Sequence, residues 1–322
     1  MSLHENNIGR LVPAEINGRE ATPFQGVGAR EVSGRKAAPP IRSAKDYPAS
    51  GDKRTPSLKE ALARAGLKDG MVISTHHHFR NGDLIANQIF DAAAELGVKD
   101  LVWFPSASFP CHEHLIQYLE DGTIHHIEGS MNGPLGAFCT AGKMRGMGVL
   151  RSHGGRWQAI SDGEVHIDIS VIAAPTADSF GNATGDRGPS ACGLLGFALA
   201  DSMYADHVVV VTDNLVPFPC LPWQIQGNHV DQVVEVEQVG IAEKIVSGTT
   251  QITKSPDRLL IAEHCAKFVR DVGIMKDGFS FQAGAGGTAL AFAIYLKEMM
   301  IEAGVTAGFV RGGSTKYLVE ML

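Results

Sequence analysis

Three short segments within residues 71–104 determine the fold class. Met71–Ser74 is an apolar run of strand length, Leu84–Leu96 carries apolar residues at helical spacing, and Leu101–Phe104 is a second apolar run. A strand, a helix and a strand in this order form a βαβ unit, in which the two strands are parallel and the crossover is right-handed. The sequence therefore predicts an α/β fold built on an open parallel sheet.

The remaining periodic segments extend this pattern along the chain. Further strands are predicted at Ile124–Ile127, Ile167–Ala173, Val208–Thr212 and Val233–Val236, and helices at Ser57–Leu67, His112–Leu119 and Ser190–Ala200. A second series follows, with a helix at Ser255–Val269, a strand at Phe279–Gln282, a helix at Thr288–Ala303, a strand at Ala307–Val310 and a last helix from Ser314. The glycine-rich stretch 128–163 shows no helical periodicity, so we expect no helix there.

Composition divides the chain into three regions. Residues 1–57 are rich in proline and glycine and lack a long periodic segment, which is typical of an extended N-terminal arm. Residues 58–240 hold a complete strand and helix series, and residues 241–322 begin a second one. We expect two tandem α/β domains, the second of them incomplete.

Charge and cysteine content exclude several classes of protein. A net charge of −7 argues against nucleic acid as the main partner. No apolar run is long enough for a transmembrane helix, and the start of the chain lacks the pattern of a secretory signal, so we expect no membrane association. Five cysteines, an odd number without a CxxC pair, indicate no disulfide framework and favour the cytoplasm.

A glycine loop before the predicted helix at Thr288 is the sharpest local signal. Gly284, Gly286 and Gly287 sit where a strand passes into a helix, and free amides at a helix N-terminus favour a phosphate or a developing oxyanion. The loop lacks the Rossmann pattern, which needs glycine at Ala289. A tight turn that serves only strand and helix packing is the alternative.

A polar loop follows the predicted strand Met71–Ser74, at the edge where open parallel sheets bind ligands. It contains the side chains that favour recognition of a polycarboxylate, namely His76, His77, His78, Arg80 and Asn81, followed by Gly82. Neighbouring histidines in extended backbone point in opposite directions, so we predict no metal site. A purely structural histidine cluster is the alternative.

Two further segments carry weaker signals. Asp178–Gly185 follows a buried strand and includes Asn182, which either contacts a ligand or belongs to an Asx turn. Arg151–Arg156 either holds an acidic or phosphorylated ligand or consists of solvated loop charges.

Taken in order, five segments of this sequence resemble the acyl-CoA transferase superfamily and, within it, the family of citrate lyase α subunits. They are His76–Asp83, Ile167–Gly185, Val230–Glu237, Ser247–Thr253 and, most specifically, Gln282–Ala291. The resemblance covers residues 8–322. It implies two tandem open parallel-sheet domains of the CoA-transferase type. Because members of the family continue well beyond this endpoint, it also implies that the second domain is incomplete.

The resemblance also implies an activity. The family exchanges acetate for citrate on an acyl-carrier-protein thioester, giving citryl carrier and acetate, with citrate attacking the thioester directly through a mixed anhydride. The chain itself is expected to bind no cofactor tightly, since the carrier subunit brings a phosphoribosyl-dephospho-CoA group. The expected partners are the β subunit, the γ carrier subunit and further copies of the chain.

We assign the expected roles accordingly. Gly286 and Gly287 are the predicted catalytic amide donors, and the predicted substrate-binding residues are His76, His77, His78, Arg80, Asn81, Gly82, Asn182, Gly284 and Thr288.

Several alternatives remain open. One is an acyl-CoA hydrolase or a transferase that uses a glutamyl thioester. Glu235, Glu237 and Glu263 are the nearest candidates by sequence for proton transfer, and none lies in a family motif that assigns a nucleophile. The others are a non-catalytic assembly subunit and a sugar-phosphate isomerase on a similar fold.

Overall fold

The computed structural model describes residues 2–21, 37–42, 47–245, 251–284, 286–312, 316–319 and 321. Its strands are β1 Leu3–Glu5, β2 Leu11–Pro13, β3 Glu15–Ile16, β4 Arg19–Glu20, β5 Arg54–Thr55, β6 Val72–Thr75, β7 Leu101–Pro105, β8 Ile124–Ile127, β9 Ile169–Ala174, β10 Thr176–Asp178, β11 Ala183–Thr184, β12 His207–Thr212, β13 Leu215–Val216, β14 Gln232–Glu235, β15 Ser280–Ala283 and β16 Phe309–Gly312. Its α-helices are α1 Leu58–Arg64, α2 Ile85–Glu95, α3 Ile116–Glu120, α4 Pro134–Thr140, α5 His153–Ser161, α6 Gly196–Tyr204, α7 Pro256–Asp271, α8 Gly287–Ala303 and α9 Lys316–Val319. The chain divides into two compact units, Met1–Ile245 and Val246–Leu322.

The first unit is built on a seven-stranded sheet in the order β5-β14-β12-β9-β6-β7-β8. Every neighbouring pair of these strands is parallel, which confirms the predicted α/β class. From β6 the chain adds β7 and β8 on one side, and it then returns to place β9 and β12 on the other side. The strand order therefore reverses between β6 and β9, and such a switch point leaves a crevice at the carboxyl ends of the two strands.

The two faces of this sheet are covered by different helices. Alternate residues of β12 point to opposite faces, as the two-residue period of a strand requires. Val209 and Val211 pack into a core with α1 to α4, whereas Val208 and Val210 pack into a second core with α5 and α6. All six residues of β9 are buried, because this central strand is covered on both faces.

Local sequence explains where the first helices begin and end. The Ser57 hydroxyl accepts a hydrogen bond from the Glu60 amide and caps α1, as predicted from the sequence. Shortly after the helix ends, Gly66 takes a φ of +74°, which glycine adopts without steric cost. Helix α2 buries its apolar face in the first core through Ile89 and Phe90, whose exposed fraction is 0%.

The second unit contains a parallel pair of strands, β15 and β16, with α7 and α8 packed together. Its core includes Phe279, Leu296 and Met300. The predicted strand, helix and strand of this region are thus confirmed. The prediction of a last helix beginning at Ser314 falls on a residue outside the described ones, and α9 is described from Lys316.

The prediction that residues 128–163 hold no helix is wrong. Helix α4 begins at Pro134, and its fixed φ suits the first position of a helix. Helix α5 begins after Ser152, whose hydroxyl accepts from the Gly155 amide. The sequence interpretation overlooked both helix-start signals, Pro134 and Ser152, because the surrounding stretch is rich in glycine.

Two other helix predictions need correction. The helix predicted at Ser190–Ala200 is observed as α6, which starts at Gly196, because the Ser190 hydroxyl instead donates to the Gly240 carbonyl and holds its segment in a loop. The helix predicted at His112–Leu119 is a 3₁₀ turn, Pro110–Leu115, that continues into α3.

The described part of residues 1–57 contains five short strands, β1 to β5, and contacts the rest of the first unit. Asn17 exchanges two hydrogen bonds with the Met147 backbone, and Arg42 pairs with Asp231. Arg19 also forms an ion pair with the buried Glu128. Residues 22–36 and 43–46 of the predicted arm lie outside the described residues.

Candidate functional site

The loop that follows β6 lies at the switch point of the sheet. It runs from His76 to Asp83, so the predicted histidine and arginine cluster sits in the crevice between β6 and β9. The His78 Nε2 atom donates to the Ala173 carbonyl of β9 at 2.6 Å and ties the loop to the neighbouring strand. Burial and the nearby His76 lower the pKa of His78 to about 4, so this ring is neutral at physiological pH.

His76 belongs to a buried ion network. Its Nε2 atom lies 2.9 Å from Asp201 Oδ2, and Arg156 donates to both oxygens of Asp201 at 2.6 Å. The exposed fractions of the Arg156 and Asp201 side chains are 4% and 0%. Although burial alone would raise it, the pKa of Asp201 is held well below its usual range by Arg156 and His76.

His77 is held by Ser106 at the end of the neighbouring strand β7. The Ser106 hydroxyl lies 2.6 Å from His77 Nδ1 and 3.0 Å from the His77 backbone nitrogen. The imidazole also contacts the rings of Phe109, His153 and Phe197. Burial and the positive charge of Arg80 lower the pKa of His77 to about 3.

Arg80 is the cation of this loop. Its guanidinium forms no hydrogen bond or ion pair with the described part of the chain, and its backbone has a φ of +54°, which is uncommon outside glycine. The neighbouring Asn81 uses its side-chain oxygen to accept from the Cys111 amide at 2.9 Å. Arg80 is therefore the loop residue with the most freedom to pair with an anion.

Gly82 supports the loop and leaves no room for a ligand beside its Cα. A Cβ at this position would lie 2.6 Å from the Ile241 carbonyl oxygen, and the Gly82 carbonyl accepts from the Ile241 amide at 2.9 Å. The adjacent Asp83 accepts from the Ile85 amide and pairs with buried His112. These contacts fix the end of the loop against residues 239–241.

Asn182 is used internally by the fold. Its side-chain nitrogen donates to Asp178 at 2.8 Å, and its side-chain oxygen accepts from the Gly227 amide at 2.9 Å. Asp178 also accepts from the amides of Phe180 and Gly181, which is the hydrogen-bonding pattern of an Asx turn. The geometry favours the turn over the ligand role for this segment.

The predicted glycine loop lies in the second unit, between β15 and α8. Gly286 is the N-cap of α8, and a Cβ at this position would meet no atom within 4 Å. Gly287 packs closely, since its Cβ would lie 2.8 Å from the Gln251 carbonyl oxygen. Ala285 of this loop lies outside the described residues.

A cavity of about 940 Å³ opens beside this loop. Gly284 and Thr288 line it together with the rings of Phe268 and Phe292. Within the described part of the chain, the amides of Gly286 and Gly287 have no hydrogen-bond acceptor, as expected for the first residues of a helix. The loop therefore combines free amide donors with an adjacent space that has apolar walls.

The model of one family, citrate lyase α subunit, matches residues 51–322. The chain belongs to the citrate lyase α subunit family. It is 40% identical over 281 residues to the citrate lyase α chain of Haemophilus influenzae, covering 87% of this chain and 55% of that protein. The resemblance inferred from the sequence motifs is thus confirmed.

Solved structures agree with this family. A crystal structure from Streptococcus mutans, described as a citrate lyase α subunit in complex with citrate, superposes with a TM-score of 0.90 at 40% identity, covering 99% of this chain and 62% of that one. An acyl-CoA transferase from Escherichia coli O157:H7 superposes with a TM-score of 0.55 at 14% identity and covers 85% and 63% of the two chains, which shows the shared fold. The chain thus spans a little over half the length of its H. influenzae relative.

Sequence reasoning missed three residues that contact the histidine loop or its partners in this candidate site. Of the two alternatives left open for Arg151–Arg156, solvated loop charges are wrong for Arg156, because it is buried against Asp201. Asp201 gave no local signal, since it acts on a histidine that is distant in sequence. The only usable hint was the strand end at Ser106, because side chains at neighbouring strand ends meet at one edge of a sheet.

Among the three glutamates considered from the sequence, one is already paired. Glu263 forms an ion pair with Lys267 on α7 at 2.6 Å, which holds the pKa of Glu263 below its usual value. Glu235 ends β14, and both it and Glu237 are exposed.

The described residues offer one group with metal-ligand geometry, His166, Asp168 and Asp206. It lies beside the amino ends of β9 and β12, at the opposite edge of the sheet from the histidine loop. Among the described helices, none has the length and apolar character needed to cross a lipid bilayer.

Proposed function

We propose that this protein is a citrate CoA-transferase that exchanges acetate for citrate on an acyl-carrier thioester. The observation that carries the proposal is the glycine loop at the start of α8, where Gly286 and Gly287 have free amides and the flanking Gly284 and Thr288 line an apolar cavity of about 940 Å³. Membership of the citrate lyase α subunit family and the citrate complex of the S. mutans relative support the choice of substrate.

In the proposed reaction, a citrate carboxylate attacks the carbonyl carbon of the acetyl thioester. The electrons of the carbonyl double bond move to its oxygen, and the amides of Gly286 and Gly287 donate hydrogen bonds to that oxyanion. Collapse expels the carrier thiolate and leaves a mixed anhydride, which the thiolate then attacks at the citryl carbonyl to release acetate. One such donor contributes about 3 kcal/mol to transition-state stabilisation.

The residues of the histidine loop would bind citrate. Arg80 supplies a guanidinium with no partner in the described part of the chain, and guanidinium groups pair with carboxylates in a bidentate geometry. His77 is neutral, so it acts as a hydrogen-bond donor and not as a cation. The single ring hydrogen of neutral His78 is already donated to the Ala173 carbonyl. Citrate needs no activation by a base because its carboxylates are already ionised at neutral pH.

We assign the partners on the same grounds. The γ carrier subunit would bring the phosphoribosyl-dephospho-CoA arm, whose pantetheine part suits the apolar walls of the cavity near Gly284 and Thr288. The β subunit would cleave the citryl product, and the chain would form a homo-oligomer. A cytoplasmic location fits the five cysteines, all of which are free.

The proposal is tested at Gly286, where a side chain meets open space and the fold is not disturbed. We expect Gly286→Ala to retain exchange of labelled acetate into acetyl carrier. Gly286→Val should lose this exchange, because its larger side chain fills the space over the amides. Thermal unfolding and carrier binding of both variants serve as controls. Full activity of Gly286→Val would remove the oxyanion role.

A second experiment separates direct transfer from a glutamyl thioester. After incubation with acetyl carrier, hydroxylamine or borohydride would trap a glutamyl adduct on this chain if one formed. We expect no adduct while acetate exchange proceeds. Binding of the β and γ subunits without any exchange would instead identify a non-catalytic assembly subunit.

A further inference from the structure

We propose that Ser106 is a positioning residue that fixes His77 as a neutral hydrogen-bond donor, with the ring hydrogen on Nε2 directed to an anionic oxygen of the substrate. The inference deepens the proposed function, because it assumes that the histidine loop binds a carboxylate or a thioester oxygen. It concerns the tautomer and charge of the His77 ring and the residue that determines them.

The hydrogen-bond geometry around Ser106 supports the assignment. Its oxygen accepts from the His77 backbone nitrogen at 3.0 Å, which occupies one lone pair. Its only other described partner is His77 Nδ1 at 2.6 Å. The hydroxyl hydrogen therefore finds an acceptor in the described part of the chain only if Nδ1 carries the lone pair.

The same hydrogen-bond assignment leaves His77 Nε2 available to donate to a ligand. With Nδ1 accepting, the single hydrogen of a neutral imidazole must lie on Nε2. Nε2 has no hydrogen-bond partner among the described residues, and it is not one of their buried, unpartnered polar atoms. His153 and Phe197, whose rings contact that of His77, also line a cavity of about 520 Å³.

The surrounding charges favour the neutral form. Arg80, His76 and His78 face His77 from its own loop, and His153 faces it from α5. Ser106, which follows β7, and Phe197 of α6 add no charge. A positive neighbour disfavours a second positive charge, and burial acts in the same direction. A neutral donor beside Arg80 can bind an anionic oxygen at physiological pH without exchanging a proton with it.

The inference is tested first by nitrogen-15 NMR of the ring in the full-length protein without substrate. Comparison with His77→Gln assigns the His77 signals. We expect one protonated nitrogen, Nε2, and one unprotonated nitrogen, Nδ1, with no titration between about pH 6 and pH 8. A hydrogen on Nδ1, or a doubly protonated ring at pH 7, would overturn the inference whether or not the protein is a transferase.

Kinetics of the Ser106 variants give a second readout. Loss of one neutral hydrogen bond corresponds to about 1 kcal/mol, so Ser106→Ala should lower kcat/KM for acetate exchange roughly fivefold. It should also mix the two ring tautomers in the NMR spectrum. Ser106→Thr, which keeps the hydroxyl, should restore both kcat/KM and the single tautomer. Ser50→Ala, at an exposed serine, is the control.

An unchanged tautomer in Ser106→Ala would show that Ser106 does not set it. If the NMR result holds but Ser106→Ala leaves acetate exchange unchanged, the tautomer assignment stands and the positioning role of Ser106 fails. If the wild type itself catalyses no exchange, the proposed function fails, so the two outcomes are distinguishable.

Discussion

Arg156 and Asp201 form a bidentate ion pair inside the first unit, with both donor to acceptor distances at 2.6 Å. The pair joins α5 to α6, and the second oxygen of Asp201 also lies 2.9 Å from His76 Nε2. A fully buried carboxylate thus holds the first residue of the switch-point loop. This network connects the packing of two helices with the orientation of a candidate site residue.

Breaking this pair should destabilise the protein strongly. Arg156→Met leaves Asp201 charged and buried without its main partner, which costs about 3–5 kcal/mol. The free energy of unfolding in urea measures the loss. The double variant Arg156→Met with Asp201→Leu removes both charges and should recover much of the stability. A loss below about 1 kcal/mol in the single variant would contradict a buried pair.

The histidine loop should make stability depend on pH. The pKa of His77 is lowered to about 3 and that of His78 to about 4, whereas both are near 6.5 in an unfolded chain. Between these values the unfolded state binds more protons, so stability falls as pH decreases from about 6.5 towards 4. Each histidine contributes about 1.4 kcal/mol per pH unit in this window.

The experiment compares urea unfolding of the wild type and His77→Gln at several pH values. In His77→Gln, the free energy of unfolding should depend less steeply on pH, by the contribution of one proton. His166→Gln, at an exposed histidine, controls for the removal of a histidine as such. Equal slopes in wild type and His77→Gln would refute the low pKa of His77.

Gly82→Ala should destabilise the loop, because the new Cβ would approach the Ile241 carbonyl oxygen at 2.6 Å. Such overpacking typically costs 1–3 kcal/mol. Gly284→Ala is a matched control, since its Cβ would make an ordinary contact of 3.6 Å with Ala289. Hydrogen exchange at residues 239–241 should increase in Gly82→Ala alone, and equal stability of the two variants would argue against the close approach.

Local pattern was enough to predict the parallel sheet and the position of the histidine loop. Apolar runs and helical spacing are properties of neighbouring residues, and the end of β6 follows directly from them. The predicted glycine loop likewise needed only the junction of β15 and α8.

The remaining features depend on contacts between distant residues. Arg156 and Asp201 are 45 residues apart, and nothing in either neighbourhood marks them as partners. Asn182 shows a second limit of sequence reasoning, in which one local pattern has two interpretations. Its polarity and strand-end position left both a ligand contact and an Asx turn open, and the structure favours the turn because the side-chain amide contacts Asp178 and the Gly227 amide.

Arg80 should show opposite effects on stability and on binding. Its φ of +54° costs an arginine about 1 kcal/mol or more, and glycine avoids this cost. Arg80→Gly is therefore expected to unfold at the same or a higher urea concentration than the wild type. Loss of a charge-assisted hydrogen bond corresponds to about 1.5–3 kcal/mol, so citrate affinity should fall about 10- to 150-fold.

Calorimetric titration of citrate and urea unfolding of the same samples measure both effects. Asparagine tolerates this φ but carries no charge, so Arg80→Asn should lose citrate affinity as Arg80→Gly does. Arg80→Lys keeps a positive charge and should retain part of the citrate affinity. Unchanged citrate affinity in Arg80→Gly would exclude Arg80 as a ligand. A marked loss of stability would instead assign the guanidinium to holding the loop, because relief of backbone strain can only act in the opposite direction.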